Sequence, residues 1–280
     1  MRRWSFAKGH GTENDFVLLQ DRESMLHVGA AEVRFICDRH AGIGADGLLR
    51  AVRARHIPEW DGDPDLWFMD YRNADGSVAE MCGNGIRVFA RHLLDEGLAT
   101  GPVVQIATRA GLKEATALPD TRIRVAMGPA KMGDDEVKVT TADGRRFAAV
   151  AVNVGNPHAV SFADDIAGLP LQVAPTWTPE QAFPRGVNLE FVREVGPRHI
   201  EMRVYERGVG ETRSCGTGTV AAAAAARKHL GDAGDGGDAV SYRVDVPGGS
   251  VTVELAADQT YLTGPAVIVA NGHLSLPEEF

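Results

Sequence analysis

Two short stretches of the chain place a cysteine in a glycine-rich turn directly before a helix. The first is MCGNGIRVFARHLL (81–94), which contains Cys82, and the second is SCGTGTVAAAAAARKHL (214–230), which contains Cys215. A helix N-terminus presents unpaired backbone N–H groups and the positive end of a dipole, and both favour a thiolate over a thiol. The flanking glycines let a ligand approach the backbone closely. Each turn therefore predicts an acid–base group of adjustable pKa beside a binding site for a carboxylate.

The two turns together indicate one type of reaction. If both thiols reach the same carbon from opposite sides, one thiolate can remove a proton next to a carboxylate while the other thiol delivers a proton to the opposite face. The configuration of that carbon then inverts. Backbone donors would stabilise the charge that develops on the carboxylate, and each acid–base group contributes roughly 10²–10⁴-fold to the rate.

The elements that position the two cysteines occur twice in the sequence. LWFMDYRNADGS precedes Cys82 and IEMRVYERGVGE precedes Cys215, and each reads as a strand that ends in a polar, glycine-containing turn. Most other segments also read as strands, including hairpins over 136–155 and 242–255. Helices are few: residues 30–40 and the segments after the two cysteines have helical spacing, and 178–183 is a candidate for a short helix with Thr178 as its cap. The sequence therefore indicates two halves of similar fold that arose by duplication.

The helix after the second cysteine carries alanine at every position from 221 to 226. A helix that is apolar on all sides is buried on all sides. We therefore expect an α+β fold of two pseudo-symmetric domains, each a curved, mostly antiparallel sheet around one central helix, with the active site in the cleft between them. We assign residues 1–128 to the first domain and 129–265 to the second. A C-terminal strand at about 266–280 is a candidate to rejoin the first domain.

Composition and charge exclude several classes of function. The 280 residues are 44% apolar and 24% charged, as in a globular protein, and the formal net charge of −9 disfavours nucleic acid and anionic membranes as partners. No apolar run approaches the ~20 residues that a membrane span needs. The three cysteines are few and odd in number, which indicates a reduced, cytoplasmic protein. Cys37 lies on an apolar helical face, and we interpret it as a core residue.

The sequence predicts neither a metal nor a cofactor. It contains no Cys-x-x-Cys, and a structural zinc site needs four ligands. GIGADG (42–47) matches a dinucleotide fingerprint, but it follows a helix-like segment and no clear helix comes after it, so we do not expect a nicotinamide site. No lysine stands in a context that indicates a pyridoxal Schiff base, and a two-thiol mechanism needs none.

Seven motifs, taken in order, resemble one known family over essentially the whole chain. They are HGTENDF, DRHAGIGADG, NADGSVAEMCGNGIR, NVGNPHAV, GVNLEFV, YERGVGET and SCGTGTVA. The resemblance is to the diaminopimelate epimerases, cofactor-free two-cysteine enzymes of lysine and peptidoglycan biosynthesis. It implies a pyridoxal-independent isomerase that interconverts L,L- and meso-diaminopimelate, and it implies a homodimer.

The resemblance also assigns roles to individual residues. It makes Cys82 and Cys215 the two acid–base residues, and it implies that His158 and Glu206 tune the site near the thiols. The substrate-binding residues that it implies are Asn14, Asn73, Gly83, Asn84, Asn156, Asn188, Glu206, Arg207, Gly216 and Thr217. Within that set, Gly83, Asn84, Gly216 and Thr217 would hold the reacting carboxylate, and Arg207 would pair with the carboxylate that does not react.

The sequence departs from the family pattern at two places. Many members carry glutamine where this chain has Gly47, so a substrate contact there is lost or supplied differently. Thr12-Glu13 replaces a common Leu-Gly, and we expect that change to be neutral.

Two other interpretations stay open at this point. Proline-racemase-like enzymes also use two cysteines in glycine-rich turns, but they resemble CGH rather than the CGN at Cys82, and they do not need Arg207. A thiol redox protein or a non-catalytic binding module is a different class. A redox protein is expected to bring its cysteines close in sequence or to flank one with basic residues, and this chain does neither.

A structural alternative concerns each turn taken alone. A single Cys-Gly-x-Gly turn could also be a plain helix cap with a buried thiol.

Overall fold

The computed structural model describes residues 2–232 and 239–278, apart from the side chains of residues 134 and 135. The helices are α1 (Ala30–Cys37), α2 (Gly83–Asp95) and α3 (Gly216–His229), with short 3-10 helices at Ala54–His56 and Glu180–Ala182. The strands are β1 (Arg2–Gly11), β2 (Asn14–Gln20), β3 (Gly47–Arg53), β4 (Trp67–Asn73), β5 (Val103–Thr108), β6 (Gly111–Ala117), β7 (Ile123–Gly128), β8 (Lys131–Thr140), β9 (Arg146–Asn153), β10 (Pro157–Phe162), β11 (Thr176–Thr178), β12 (Asn188–Gly196), β13 (His199–Glu206), β14 (Gly210–Thr212), β15 (Val240–Val246), β16 (Gly249–Leu255), β17 (Thr260–Gly264) and β18 (Val267–Leu276). Strands dominate and helices are few, which confirms the predicted α+β class.

The chain divides into two compact units. The first consists of Met1–Val125 together with Gly264–Phe280, and the second is Ala126–Thr263. The division falls inside β7, a few residues before the boundary that we placed after residue 128. The last strand, β18, belongs to the first unit and pairs with β1 in antiparallel fashion.

Both units have the same strand order. In the first unit the neighbours run β18-β1-β2-β3-β4-β5-β6-β7, and the pairings β2–β3 and β4–β5 are parallel while the others are antiparallel. In the second unit they run β8-β9-β10-β12-β13-β15-β16-β17, with β10–β12 and β13–β15 parallel at the same two places. This repeated pattern, in which α2 and α3 are the crossovers of equivalent parallel pairs, supports the duplication read from the sequence.

Each central helix packs against the strands of its own unit. α2 contacts β1 to β6 and β18, and it buries Ile86, Phe89 and Leu93. α3 contacts β9, β10, β12, β13, β15 and β16. Its alanines, apart from Ala224, are buried, and their methyl groups let strands on several sides approach the helix closely.

Shorter segments follow the sequence interpretation with small differences. α1 ends at Cys37, which is 4% exposed within an apolar cluster, and this confirms the core interpretation of that thiol. The segment 178–183 forms only a 3-10 turn, because Pro179 in extended conformation precedes it in place of a capping Thr178. No helix in the described ranges is long and apolar enough to cross a membrane.

The hairpin turn between β1 and β2 contains backbone strain. Thr12 and Glu13 form its two-residue loop, and their φ angles are +52° and +59°. Tight hairpins favour positive φ at both loop positions, which suits glycine and asparagine. A residue with a Cβ pays roughly 1–2 kcal/mol in the left-handed region. Thr12-Glu13 is therefore not neutral for the backbone, although the Thr12 hydroxyl donates to the Gly11 carbonyl at 2.7 Å.

We predict that Glu13→Gly stabilises the protein by about 1 kcal/mol, because glycine has no Cβ to clash at positive φ. Equilibrium unfolding in urea measures the change. Glu13→Ala is the control, since alanine keeps the Cβ but removes the carboxylate. A glycine variant no more stable than the alanine variant would contradict the explanation.

Candidate active site

Both predicted cysteines cap their helices through sulfur. Cys82 is the N-cap residue of α2, and its Sγ accepts from the Gly85 N–H at 3.4 Å. Cys215 is the N-cap residue of α3, and its Sγ accepts from the Gly218 N–H at 3.4 Å. Their backbone angles are similarly extended, so the two turns share one local geometry. Each sulfur thus occupies the place where serine or aspartate usually supplies an oxygen.

Side-chain amides surround the Cys82 thiol. Its Sγ donates to Asn14 Oδ1 at 3.6 Å, and Asn84 Nδ2 donates to the same oxygen at 3.2 Å. Asn14 in turn donates through Nδ2 to Asp46 Oδ2 at 2.8 Å. The carboxylate can only accept, so Asp46 fixes the orientation of the Asn14 amide, with the oxygen toward the thiol.

Asp46 belongs to a charged group beside this cluster. Arg39 pairs with Asp15 at 2.8 Å and with Asp46 at 2.7 Å, and Lys8 also pairs with Asp15. Burial alone would raise the pKa of Asp15, but hydrogen bonds and charges from Arg39 and Lys8 outweigh it and lower the pKa to about 2. Burial raises the pKa of Asp46, to which the neighbouring Asp15 charge adds. Asp15 is therefore the more strongly ionised of the two carboxyl groups.

Gly47 has no room for a side chain. A Cβ on this residue would lie 2.7 Å from the Arg72 carbonyl oxygen and 2.7 Å from Cε2 of Tyr71. Asn73, opposite Gly47 in the β3–β4 register, donates its amide to Ser77 Oγ at 3.0 Å. The Tyr71 ring and the Arg72 carbonyl occupy the space that a side chain at 47 would need. A glutamine there would therefore require movement of the β4 backbone.

A chain of polar contacts leads from Cys215 into the core of the second unit. The Cys215 Sγ lies 3.6 Å from Thr217 Oγ1, and Asn156 Nδ2 donates to that hydroxyl at 3.3 Å. His158 contacts Asn156 Oδ1 through Nε2 at 2.9 Å and Glu190 Oε1 through Nδ1 at 2.7 Å. His158 and Glu190 have no exposed surface. The predicted residues Asn156, His158 and Thr217 therefore lie together with Cys215.

Glu190 explains why residue 218 is glycine. A Cβ there would lie 2.8 Å from Glu190 Oε1 and 3.3 Å from the cysteine sulfur. At Gly85, in the equivalent turn of the first unit, a Cβ would meet Leu49 at 3.5 Å and Phe16 at 3.6 Å, which are ordinary contacts. The duplicated fold thus places an apolar pair behind one thiol and a histidine–carboxylate pair behind the other.

Two carboxyl groups act on the Cys215 thiol. Glu206 acts on it through its charge, and the Glu206 carboxylate accepts from the Thr212 hydroxyl. Burial raises the pKa of the Cys215 thiol well above its ordinary value, and the charges of Glu206 and Glu190 raise it further. Burial also raises the pKa of Glu206. The second unit therefore favours the protonated form of its thiol.

Asn188 and Arg207 form a separate group. Asn188 donates through Nδ2 to the Pro157 carbonyl at 3.0 Å and accepts from the Arg207 N–H at 3.0 Å. The Arg207 side chain is exposed, and its guanidinium donates to the Arg185 carbonyl at 3.3 Å. No carboxylate in the described residues pairs with Arg207, so its charge is available to a ligand.

Sequence reasoning missed Asp46 and Glu190. Each had a readable signal, since Glu190 is the one charged residue in the apolar run VNLEFV and Asp46 interrupts a glycine-rich segment. Gly83 and Gly216 lie where predicted, as the first residues of α2 and α3. No group of three or more potential metal ligands occurs in the part of the chain that the structure describes.

Solved structures identify the class of fold. A phenazine biosynthesis protein of the PhzF family from Bacillus anthracis superposes with a TM-score of 0.74 at 14% identity, covering 99% of this chain and 100% of that one. A hydroxyproline epimerase from Agrobacterium vitis superposes with a TM-score of 0.67 at 16% identity, covering 99% and 94%. The chain therefore has the two-domain fold that these proteins share.

Sequence similarity identifies the family within that fold. The diaminopimelate epimerase family model matches residues 6–133 and 150–269. The chain is 49% identical to the diaminopimelate epimerase of Streptomyces coelicolor, covering 96% of this chain and 95% of that protein, and 49% identical to that of Thermobifida fusca, covering 97% and 98%. This chain belongs to the diaminopimelate epimerase family, which confirms the resemblance read from its motifs.

The two second glycines of the turns give a matched pair of substitutions. We predict that Gly218→Ala destabilises the protein by about 1–3 kcal/mol, because the new methyl group overpacks against the pinned Glu190 carboxylate. Gly85→Ala should change the free energy of unfolding by less than about 1 kcal/mol in either direction, since its contacts are ordinary and alanine favours a helix. Equilibrium unfolding of both variants checks this. Equal effects at the two positions would show that Glu190 does not constrain residue 218.

Proposed function

We propose that this protein interconverts L,L- and meso-diaminopimelate by proton transfer at the α carbon between Cys82 and Cys215. The observation that carries the proposal is the pair of helix-capping thiols in a chain 49% identical to named diaminopimelate epimerases over nearly its full length. The reaction is a step of lysine and peptidoglycan biosynthesis. One thiolate removes the α proton, and the other thiol supplies a proton on the opposite side of the carbon.

The helix N-termini supply the donors for the reacting carboxylate. Gly83 and Asn84 begin α2, and Gly216 and Thr217 begin α3, so their free N–H groups lie beside the sulfurs. Removal of a proton next to a carboxylate builds negative charge on its oxygens. Preorganised donors stabilise that charge more in the transition state than in the substrate, and this is usually the largest catalytic contribution.

The second amino acid end of the substrate needs its own binding group. We assign Arg207 to the carboxylate that does not react, because its guanidinium is exposed and pairs with no carboxylate among the described side chains. Asn188 holds the Arg207 backbone through its amide oxygen. Asn14, Asn73, Asn156 and Glu206 complete the proposed substrate-binding set.

His158 and Glu206 are proposed to tune the chemistry at Cys215, and the structure adds Glu190 to this pair. The charge of Glu206 acts on the thiol, while the Glu190 carboxylate contacts His158 at Nδ1. Each carboxylate disfavours a neighbouring thiolate. Cys215 is therefore suited to deliver a proton before it removes one.

The remaining proposals concern the setting of the enzyme. We infer a cytoplasmic homodimer that needs no cofactor. The free state of Cys37, Cys82 and Cys215 fits a reducing compartment. The homodimer follows from the family resemblance, and sedimentation of the purified protein tests it.

A proline-racemase activity is the second candidate that shares this fold. A probable proline racemase from Agrobacterium radiobacter superposes with a TM-score of 0.66, but its sequence is only 17% identical. The available Arg207 guanidinium favours a substrate with a second carboxylate. Thermal shift with proline against diaminopimelate separates the two, since only a ligand of the native state raises the Tm.

Serine substitutions test the two-thiol mechanism. We predict that Cys82→Ser and Cys215→Ser each lose epimerisation, because a hydroxyl is a far weaker acid than a thiol, whose pKa is about 8.5. With a diaminopimelate analogue that carries a leaving group on the β carbon, proton removal alone allows elimination. Each variant should therefore eliminate from one stereoisomer only, and the isomer should differ between them. Epimerisation is measured from the configuration of the diaminopimelate product. Elimination is measured as release of the leaving group, such as a halide, from each stereoisomer of the analogue.

Cys37→Ala is the control for these variants, because Cys37 is a buried core thiol outside the proposed site. It should keep epimerase activity. If both serine variants processed the same isomer, or if either epimerised at the parental rate, the assignment of the two cysteines to opposite faces would be wrong.

Arg207→Lys tests the distal carboxylate. Lysine keeps the charge but loses the planar fork, and a charged hydrogen bond contributes on the order of 1.5–3 kcal/mol. We predict a roughly 10–100-fold fall in kcat/KM for diaminopimelate with an unchanged Tm. Arg193→Lys is the matched control, since that guanidinium pairs with Glu201 within the protein. Near-normal kinetics for Arg207→Lys would remove Arg207 from the substrate site.

A further inference from the structure

The Asn14 side-chain amide connects the Cys82 thiol to the Asp46 carboxylate. Cys82 Sγ donates to Asn14 Oδ1 at 3.6 Å, and Asn84 Nδ2 donates to the same oxygen at 3.2 Å. On the other side of the amide, Asn14 Nδ2 donates to Asp46 Oδ2 at 2.8 Å. A thiol can donate or accept, and an amide such as that of Asn84 can present either end. Neither of these two groups therefore determines which end of the Asn14 amide faces the sulfur.

Asp46 determines that orientation. An ionised carboxylate only accepts, and donors reach both of its oxygens. Arg39 donates to Asp46 Oδ1 at 2.7 Å, and the Asp15 backbone N–H donates to Oδ2 at 3.2 Å. If the Asn14 amide were reversed, its oxygen would lie against the carboxylate oxygen and two acceptors would repel each other. The Asn14 oxygen is therefore held toward the thiol.

This orientation matters for the proton on Cys82. A hydrogen bond that is donated by a neutral group stabilises the neutral form and disfavours ionisation. The thiol has a proton to give to the Asn14 oxygen, whereas a thiolate would face that oxygen as a second acceptor. The contact therefore opposes the effect of the helix N-terminus, which favours the thiolate.

We propose that Asp46 is a positioning residue that keeps Cys82 protonated in the ligand-free protein by holding the Asn14 oxygen toward its sulfur. Asp46 acts through Asn14 and does not contact substrate. The inference rests on the proposed function in one respect, since Asn14 belongs to the proposed substrate-binding set. A substrate donor that takes the Asn14 oxygen withdraws this acceptor from the thiol, so Cys82 loses its proton to solvent more readily in the complex.

The second unit orients its corresponding amide the other way. Asn156 Oδ1 contacts His158 Nε2 at 2.9 Å, so its amide nitrogen points toward the cysteine turn. That nitrogen donates to Thr217 Oγ1 at 3.3 Å, and the hydroxyl lies 3.6 Å from Cys215 Sγ. In each unit the group behind the asparagine is thus matched to the end of the amide that turns away from the thiol.

Other charges also act on Cys82. Arg87 of α2 is buried, and its positive charge favours the thiolate. Glu80 lies two residues before the cysteine and is exposed, so its negative charge acts weakly in the opposite sense. The charged side chains that pair beside Asp46 are Arg39, Asp15 and Lys8. Removal of the Asp46 side chain releases the Asn14 amide but leaves these other charges in the protein.

The test is the pH dependence of Cys82 alkylation by iodoacetamide in the absence of substrate, followed by mass spectrometry of the cysteine peptides. Only the thiolate reacts, so the pH midpoint reports the ionisation of Cys82, whose side chain is partly accessible. We compare the parent with Asp46→Ala, with Asn14→Ala and with the double variant. Glu80→Gln is the control, because it removes a carboxylate near Cys82 that takes no part in the Asn14 contacts.

We expect Asp46→Ala to lower the midpoint by about one pH unit, so that alkylation of Cys82 at pH 7 becomes roughly three- to tenfold faster. The freed Asn14 amide can then turn its nitrogen toward the sulfur and donate to the thiolate. Asn14→Ala should lower the midpoint as well, and Asp46→Ala should add little in that background, because the two residues act as one unit. Glu80→Gln should shift the midpoint by less, and the Cys215 peptide should react at the same rate in all variants.

The inference fails if folded Asp46→Ala keeps or raises the parental midpoint. It also fails if Asp46→Ala lowers the midpoint equally with and without Asn14, or if Glu80→Gln has as large an effect, because loss of negative charge alone would then explain the shift. Should the alanine variant not fold, Asp46→Leu has the branched shape of aspartate without its acceptors and is judged in the same way. A purely structural Asp46 would lower the Tm without moving the midpoint. If the parent does not epimerise diaminopimelate, the proposed function fails while the alkylation result still stands.

Discussion

The helix N-cap is the constraint on which the site depends. Each central helix begins at a cysteine, and the sulfur accepts the N–H that an oxygen usually receives. The first N–H groups of the helix remain for a ligand, so in the proposed mechanism the sulfur that transfers the proton and the donors that bind the carboxylate come from one turn of backbone. Any shift of that turn would move both at once.

The fold provides this turn twice and then differentiates the two copies by side chains. The order of parallel and antiparallel strands is the same in both units, so each helix enters its sheet at an equivalent place. Behind the first turn lie Phe16 and Leu49, and behind the second lie His158 and Glu190. Backbone geometry therefore fixes where each sulfur lies at its helix N-terminus, while buried side chains differ behind the two turns, and in the second unit the charge of Glu190 helps to raise the pKa of Cys215.

Much of the fold and part of the site could be predicted from the sequence. Period-two patterns and glycine turns identified the hairpins, and the all-alanine face predicted that α3 is buried. The two cysteine turns could be recognised from the sequence because the cysteine, the two glycines and the start of the helix all lie within six residues of one another. The helix limits and the 3-10 turn at Glu180–Ala182 were less predictable, because capping depends on the conformation of single residues such as Pro179.

What could not be predicted depends on contacts between distant strands. Glu190 looks like an isolated charge in a strand until the β10–β12 register places it beside His158. Arg87 looks like an ordinary helix residue, and only the contacts with Thr12 and Pro265 show that its guanidinium is enclosed.

The glycine at position 47, where many family members carry glutamine, is explained by the packing of β3 against β4. The Arg72 carbonyl and the Tyr71 ring both lie within 2.7 Å of the place where its Cβ would be, so glycine at 47 and tyrosine at 71 are coupled across the β3–β4 pair. A larger residue at 47 would have to displace a strand that ends at Asn73, a proposed substrate contact. Residue 47 therefore constrains the site through the position of β4, even without a side chain of its own.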